Sequence, residues 1–193
     1  MNAFTYAEMT TRNLGFVTPE EQERLRAAHV FIPGVGGMGG ACFLTLLRAG
    51  VGNFTIADID TFEISNLNRQ IFAFTDTAGR SKAEVAAEAA ARINPEAKLK
   101  VLGAEWLDQI ETLATAHPVI VNGTDDAQAG VRMYRVARDK RATIIDAYAA
   151  TLPSVYVVRP DDPRPEERMN YPTVGRDWRA ISDDDRQACL MKE

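Results

Sequence analysis

Three glycines, Gly34, Gly36 and Gly39, follow the β-prone run His29-Val30-Phe31-Ile32 and precede the apolar stretch Cys42-Phe43-Leu44-Thr45-Leu46-Leu47. In a G-x-G-x-x-G turn from strand to helix, the first glycine permits the tight turn. The second lets backbone N–H groups approach a phosphate, and the third lets the helix pack on the strand. A helix beginning near Gly37 aims its amino end at the turn, so free N–H groups and the helix dipole both favour an anion there. Asp58 stands 19 residues past Gly39, where an acid accepts hydrogen bonds from a ribose. Alone, these residues indicate an adenine nucleotide, NAD included, and a turn without ligand has the same pattern.

Asp60, the run Ser65-Asn66-Leu67-Asn68-Arg69-Gln70, and then Lys82 separate the two nucleotides. The glycine turn already satisfies the pyrophosphate of NAD, whereas cleavage between the α and β phosphates of a triphosphate leaves a multiply charged pyrophosphate. Fixed guanidinium and ammonium groups stabilise that developing charge. Arg69 and Lys82 suit this task, while Asn66 and Gln70 hold sugar or phosphate oxygens without charge.

The elements that must position these residues alternate. A capped helix opens at Thr18-Pro19-Glu20-Glu21 and runs to about Ala28; after the glycine turn, the buried helix ends at Gly50 and a strand spans Asn53 to Ala57. Helices are expected from Ser81 to Ile93, Leu107 to Ala116 and Ala127 to Lys140. Strands are expected from Leu99 to Leu102, Val119 to Val121 and Thr143 to Asp146, with Ser154 to Val158 as a hairpin return. This order argues for an α/β fold, a doubly wound, Rossmann-like, mostly parallel sheet covered on both faces.

Composition narrows the class. The 193 residues are 46% hydrophobic and 25% charged, as in an ordinary globular protein. The net charge of −5 gives no whole-chain attraction to nucleic acid or to anionic membranes. No apolar run reaches signal-peptide length or the roughly 18–20 residues of a membrane span. Two cysteines, Cys42 and Cys189, are too few for a disulfide framework, and a reducing cytoplasmic setting is expected. His29 and His117 have no ligand-spaced neighbours and are read as packing or strand-end residues.

The run from Gly34 through Gln70, with Ala49-Gly50-Val51-Gly52 and Asp58-x-Asp60 inside it, resembles the ThiF/MoeB/HesA adenylyltransferases, relatives of ubiquitin-activating enzymes. Further matches are Arg12-Asn13, Gly79-Arg80-Ser81-Lys82, Ile93-Asn94-Pro95 and Thr124-Asp125-Asp126. The resemblance covers about residues 12 to 158. It implies an enzyme binding ATP and magnesium, in which the C-terminal carboxylate of a ubiquitin-like or sulfur-carrier protein attacks the α phosphate, giving an acyl-adenylate and pyrophosphate.

By that resemblance, the backbone around Gly37 holds phosphate, Asp58 the ribose, and Ser65 to Arg69 with Lys82 surround the triphosphate. Asp125 and Asp126 lie beside the metal, Asp125 making the Mg2+ contact; a helix cap is its competing role. Arg12 reaches the nucleotide of a neighbouring subunit, so a homodimer is implied. Cys42 reads as a small buried thiol, whereas Cys189 stands where some family members carry a reactive one. The paired C-x-x-C motifs of MoeB-like members are absent, so no zinc is expected.

Residues 1–158 thus read as the nucleotide-binding adenylation domain and 159–193 as a charged, proline-rich tail or crossover loop. That segment has 16 charged residues and four of the nine prolines, and it is expected to bury too little apolar surface to order itself. Relative to the family pattern the chain stops early, as a fragment of a longer protein would. Two other readings remain: a non-catalytic scaffold or partner subunit with the same fold, and an NAD-binding oxidoreductase.

Overall fold

The structure, a computed structural model, describes residues 3–148 and 154–191. Six strands form one sheet: β1 (His29–Pro33), β2 (Asn53–Ala57), β3 (Lys98–Leu102), β4 (Val119–Val121), β5 (Thr143–Tyr148) and β6 (Ser154–Val158). Their order is β3-β2-β1-β4-β5-β6; every pair is parallel except β5–β6, which is antiparallel.

Eight helices accompany the strands among the described residues: α1 (Tyr6–Thr10), α2 (Pro19–Ala27), α3 (Gly37–Ala49), α4 (Lys82–Ile93), α5 (Ile110–Ala116), α6 (Ala127–Asp139), α7 (Pro165–Arg168) and α8 (Asp183–Leu190). The doubly wound expectation holds. Because successive strand residues face opposite sides, Val30 and Ile32 pack against Phe43, Leu47, Ala86 and Ala90 of α3 and α4. Phe31 between them packs with Ile110, Leu113, Met133 and Ala137 of α5 and α6. The central strands therefore bury both faces, which is why they read as unbroken apolar runs. Chain direction across the sheet reverses between β1 and β4, and open α/β sheets bind ligands just beyond the carboxyl ends of the strands at such a reversal.

One boundary departs from the sequence expectation. The helix expected from Leu107 begins at Ile110, because Ala104–Trp106 forms a 3-10 turn that buries Trp106 with its ring 5.7 Å from that of Phe31. At the other end of the sheet, His117 is buried and within 6.2 Å of His29. Its Nε2 lies 2.9 Å from the Thr55 hydroxyl and its Nδ1 2.9 Å from the Leu113 carbonyl, a packing role as expected.

The polar segment beyond Val158 is ordered, contrary to the expectation from composition, and ion pairing along α6 together with burial of Pro165, Tyr171 and Ile181 accounts for it. Gln128, Arg132, Arg135 and Arg138 share one face of α6, following the three- and four-residue spacing of a helix. Gln128 Nε2 donates to the Ile181 carbonyl at 2.5 Å, and the Arg132 guanidinium lies 4.3 Å above the Trp178 ring. Arg135 donates from Nε and Nη2 to the buried Glu166 carboxylate at 3.0 and 2.9 Å, and from Nη2 to the Thr173 carbonyl at 2.8 Å. Arg138 grips Glu167 in the same forked way at 3.0 and 2.8 Å, holding that carboxyl at a pKa of about 2. Bidentate guanidinium–carboxylate pairs are geometrically specific, so residues 159–191 are clasped along α6 over the carboxyl end of the sheet.

Candidate functional site

The glycine turn works as its spacing requires. Gly34 has φ +82°, in the region that favours glycine, and its N–H donates to the Ala57 carbonyl at 2.7 Å, tying the turn to β2. A Cβ on Gly39 would lie 1.9 Å from the Gly34 oxygen, so only glycine lets α3 start this close to β1. No side chain caps α3, and a Cβ on Gly37 would meet nothing within 4 Å, so the helix's amino end faces open space. Sequence reasoning missed Gly123, the third member of this contact. A Cβ there would lie 2.2 Å from the Gly34 oxygen and 3.0 Å from the Gly39 Cα. A glycine just after a short apolar strand was the available signal.

Asp58 follows β2 and uses one oxygen to accept from the Val35 N–H at 2.8 Å and the other from the Asp60 N–H at 2.9 Å. An ionised carboxylate has about four acceptor sites, so two remain for ribose hydroxyls. Lys82, at the start of α4, is buried, and its ammonium donates to Asp60 at 2.9 Å. That pair fixes an otherwise mobile cation beside the turn. Arg69 is exposed, its Nη1 donating to the Ser65 carbonyl and to Asn68 Oδ1, each at 3.0 Å, and it forms no ion pair among the described residues. Leu67 and Ser65 are exposed on the same loop, where the Ser65 hydroxyl donates to Glu63 at 2.9 Å.

Asn66 is buried, with its amide oxygen accepting from the Glu63 N–H at 3.0 Å, which shapes the 3-10 turn Ile64–Asn66 that presents Arg69. Gln70 is buried against Gly36, at 3.6 Å from the position a Cβ would take there, and its Oε1 has no hydrogen-bond partner in the structure. An orphaned amide oxygen of this kind beside an open helix terminus fits a ligand hydroxyl that donates to it.

The two acids after β4 divide their work. Asp126 is the N-cap of α6, accepting from the Ala129 N–H at 2.8 Å. Asp125 is exposed, and its carboxylate has no hydrogen bond or ion pair among the described residues, so the capping alternative belongs to its neighbour. Mg2+ takes one or two carboxylates together with phosphate oxygens and water, and Asp125 fits that donor set. No group of three or more His, Cys, Asp or Glu side chains able to hold a metal occurs among the described residues.

A cavity of about 410 Å³ lies on the β4–β5 side of the reversal. Its walls include Met38 and Gly123 next to the glycine turn, Asp125 and Asp126, the β5 residue Asp146, and Glu166, Thr173, Arg186 and Cys189 from the clasped segment. Asp146 is buried and accepts from the Tyr134 hydroxyl at 2.6 Å, from Asn122 Nδ2 at 2.9 Å and from the Ala147 N–H at 2.7 Å. Arg69, Lys82 and Asp58 are not in this wall, so the turn with its cations and the cavity are two halves of the candidate site, adjoining at Met38 and Gly123. Cys42, by contrast, sits half-buried on α3, and burial pushes its pKa up.

Arg12 stands apart from both halves. It is exposed in the turn Thr11–Asn13, which is fastened to the carboxyl end of α3: Asn13 Nδ2 donates to the Ala49 carbonyl at 3.0 Å and to Gln22 Oε1 at 2.9 Å. The glycine turn is at the opposite end of this 13-residue helix, about 20 Å away at 1.5 Å per residue, farther than an arginine side chain extends. Leu14 and Phe16 beside it are exposed, Phe16 to 94%.

Comparison with known proteins shows the fold and the family. The molybdopterin-synthase adenylyltransferase of Salmonella typhimurium is 40% identical over 108 residues, 55% of this chain and 43% of that protein. The tRNA threonylcarbamoyladenosine dehydratase of Haemophilus influenzae is 28% identical over 131 residues, 66% of this chain and 50% of that protein. In fold, the chain is similar to the E. coli tRNA N6-threonylcarbamoyladenosine dehydratase TcdA, solved in complex with ATP, with TM-score 0.67 and 24% identity over 76% of this chain and 61% of that one. The chain thus spans about half the length of the curated relatives it matches. The ThiF family model matches residues 10–187, a stretch that takes in the turn, the cation-bearing loop and most of the clasped segment: the chain belongs to the ThiF family.

Proposed function

We propose that this chain binds ATP with Mg2+ and adenylates a carboxylate, releasing pyrophosphate; a ubiquitin-like or sulfur-carrier protein is the donor of that carboxylate, its C-terminal one, which accepts the adenylyl group. The observation that carries this reading is the pairing of an uncapped helix terminus at Gly37 with two cations that follow the ribose-side acid, Arg69 on its shaped loop and Lys82 held by Asp60. NAD chemistry has no use for those cations, whereas a departing pyrophosphate does. Asp58 takes the ribose, the N–H groups near Gly37 take phosphate oxygens, the amides of Asn66 and Gln70 take sugar or phosphate groups, and Asp125 takes the metal. Magnesium, when bound, supplies charge neutralisation across the phosphates.

Arg12 acts on the nucleotide of a second copy of the chain, since its own turn lies at the far end of α3. Exposed Leu14 and Phe16 beside it, and Ile64, Ile71 and Phe74 around the Arg69 loop, offer apolar area for that homodimer. The match to a tRNA-modifying dehydratase favours a second donor class, a carboxylate carried on tRNA, which would undergo the same first step. The test is exchange of labelled pyrophosphate into ATP, run with a panel of carrier proteins ending in a free carboxylate and with carboxylate-bearing tRNA. Donor-dependent exchange that Arg69→Ala and Asp125→Ala both abolish supports the reading; exchange that persists in both variants removes these roles.

A further inference from the structure

We propose that Arg186, carried on α8, receives the donor carboxylate as it enters the cavity beside Asp125. This rests on the adenylation reading above. Adenylation brings a carboxylate anion up to a triphosphate, and like charges converging in a partly desolvated cleft repel strongly. The cations assigned to the triphosphate, Arg69 and Lys82, are on the glycine-turn side and do not line the cavity. The cavity itself is lined by four carboxylates, Asp125, Asp126, Asp146 and Glu166, and among the described residues by one cationic side chain, Arg186. Glu166 is already paired with Arg135 and Asp126 is engaged as the cap of α6, so a carboxylate arriving from that side is repelled chiefly by Asp125, and the cationic side chain it meets in the described wall is Arg186.

Arg186 is also free to act. Its Nη2 donates one long bond, 3.4 Å, to the Asp125 carbonyl, and it forms no ion pair among the described residues. A guanidinium has five N–H donors in a fork that matches a carboxylate, so most of its capacity is unspent. Its placement is not left to chance. The Ser182–Asp185 capping box starts α8, Arg176 pairs with Asp185, and Gln128 holds the Ile181 carbonyl just before the helix. In the reaction, one carboxylate oxygen forms the bond to the α phosphorus. The bond from that phosphorus to the bridging oxygen breaks, and its electron pair leaves with pyrophosphate. Arg186 makes or breaks no bond; it holds the second carboxylate oxygen and so orients the first.

Cys189 lines the same cavity one helical turn further along α8, which provides a reporter that needs no knowledge of the donor. Iodoacetate is a small carboxylate and iodoacetamide its neutral counterpart. The ratio of their rates at Cys189, resolved from Cys42 by peptide mass spectrometry at pH 9, reads the attraction of the cavity for a carboxylate. The ratio is expected to fall roughly three- to tenfold in Arg186→Ala, the effect of one nearby unit charge at intermediate dielectric, and to be retained in Arg186→Lys. A variant that merely loosens α8 changes both rates together and leaves the ratio alone, so an unchanged ratio in Arg186→Ala overturns the proposal. A Cys189 that neither reagent reaches in the wild-type chain overturns it too, since a donor carboxylate then has no way in. The measurement uses no nucleotide: a ratio that depends on Arg186 in a chain that fails to bind ATP would leave the carboxylate site standing and remove the adenylation reading instead.

Discussion

Arg69 and Lys82 carry the same sign of charge in different surroundings, and the difference sets what each substitution does. Lys82 is buried against Asp60, so Lys82→Ala leaves an acid without its partner as well as removing a proposed phosphate ligand. Arg69 is exposed and held only by neutral oxygens, so Arg69→Ala removes ligand contacts with little effect on the fold. Charge-assisted hydrogen bonds contribute about 1.5–3 kcal/mol each, which makes ATP binding in Arg69→Ala roughly ten- to a hundredfold weaker at unchanged melting temperature, as calorimetry and thermal denaturation will show. His117 gives a pH signature far from the cleft. Burial pushes its pKa below the ordinary value of 6.5, so the unfolded chain takes up the proton first as pH falls. Its contribution to stability is complete above about pH 6.5 and declines below it. Denaturant midpoints measured between pH 7.5 and 5 should therefore drop with acidity, and the drop should flatten in His117→Gln.

The glycine turn was legible in the sequence because strand, turn and helix each need a distinct residue pattern: β-prone His29 to Ile32, glycines at fixed offsets, then apolar Cys42 to Leu47. Gly123 was not, because its requirement arises between two loops that are distant in the chain. Gly123→Ala places a methyl group 2.2 Å from the Gly34 oxygen, and an overpacked contact of this kind destabilises by about 1–3 kcal/mol, measurable by chemical denaturation. The clasped segment was misjudged for a related reason. Its composition is polar, and its partners are arginines of α6 whose spacing reads equally well as a solvated helix face. Arg135→Ala leaves the buried Glu166 with only the Thr173 hydroxyl at 3.2 Å and the longer contact to Arg164 Nε at 3.4 Å, a loss toward the lower end of the roughly 3–5 kcal/mol for a broken buried pair, and should loosen the packing of Trp178 as seen by its emission. Glu167 adds a pH dependence. Its carboxyl titrates near 2 when gripped by Arg138, against 4.5 ordinarily, so its contribution is complete above about pH 4.5 and is lost as pH falls toward 2.

At the scale of the whole molecule, α3 links the two features that a dimer would bring together. Its amino end forms the glycine turn proposed to hold phosphate, and its carboxyl end anchors the Arg12 turn through Asn13 and Gln22. In the proposed homodimer one helix would thus fix the distance between what a subunit receives and what it gives. Arg12→Ala and Asp125→Ala chains, each inactive alone, should regain about a quarter of wild-type exchange activity on mixing, since random pairing yields one intact site in half of the dimers. No regain would place Arg12 outside the reaction. The most direct test of the central claim is calorimetric titration of the purified chain with Mg-ATP and, separately, with NAD. Saturable ATP binding, weakened at least tenfold by Arg69→Ala and without a counterpart for NAD, is the predicted result; NAD binding as tight as ATP, or ATP binding indifferent to Arg69, would contradict a pocket built to split a triphosphate.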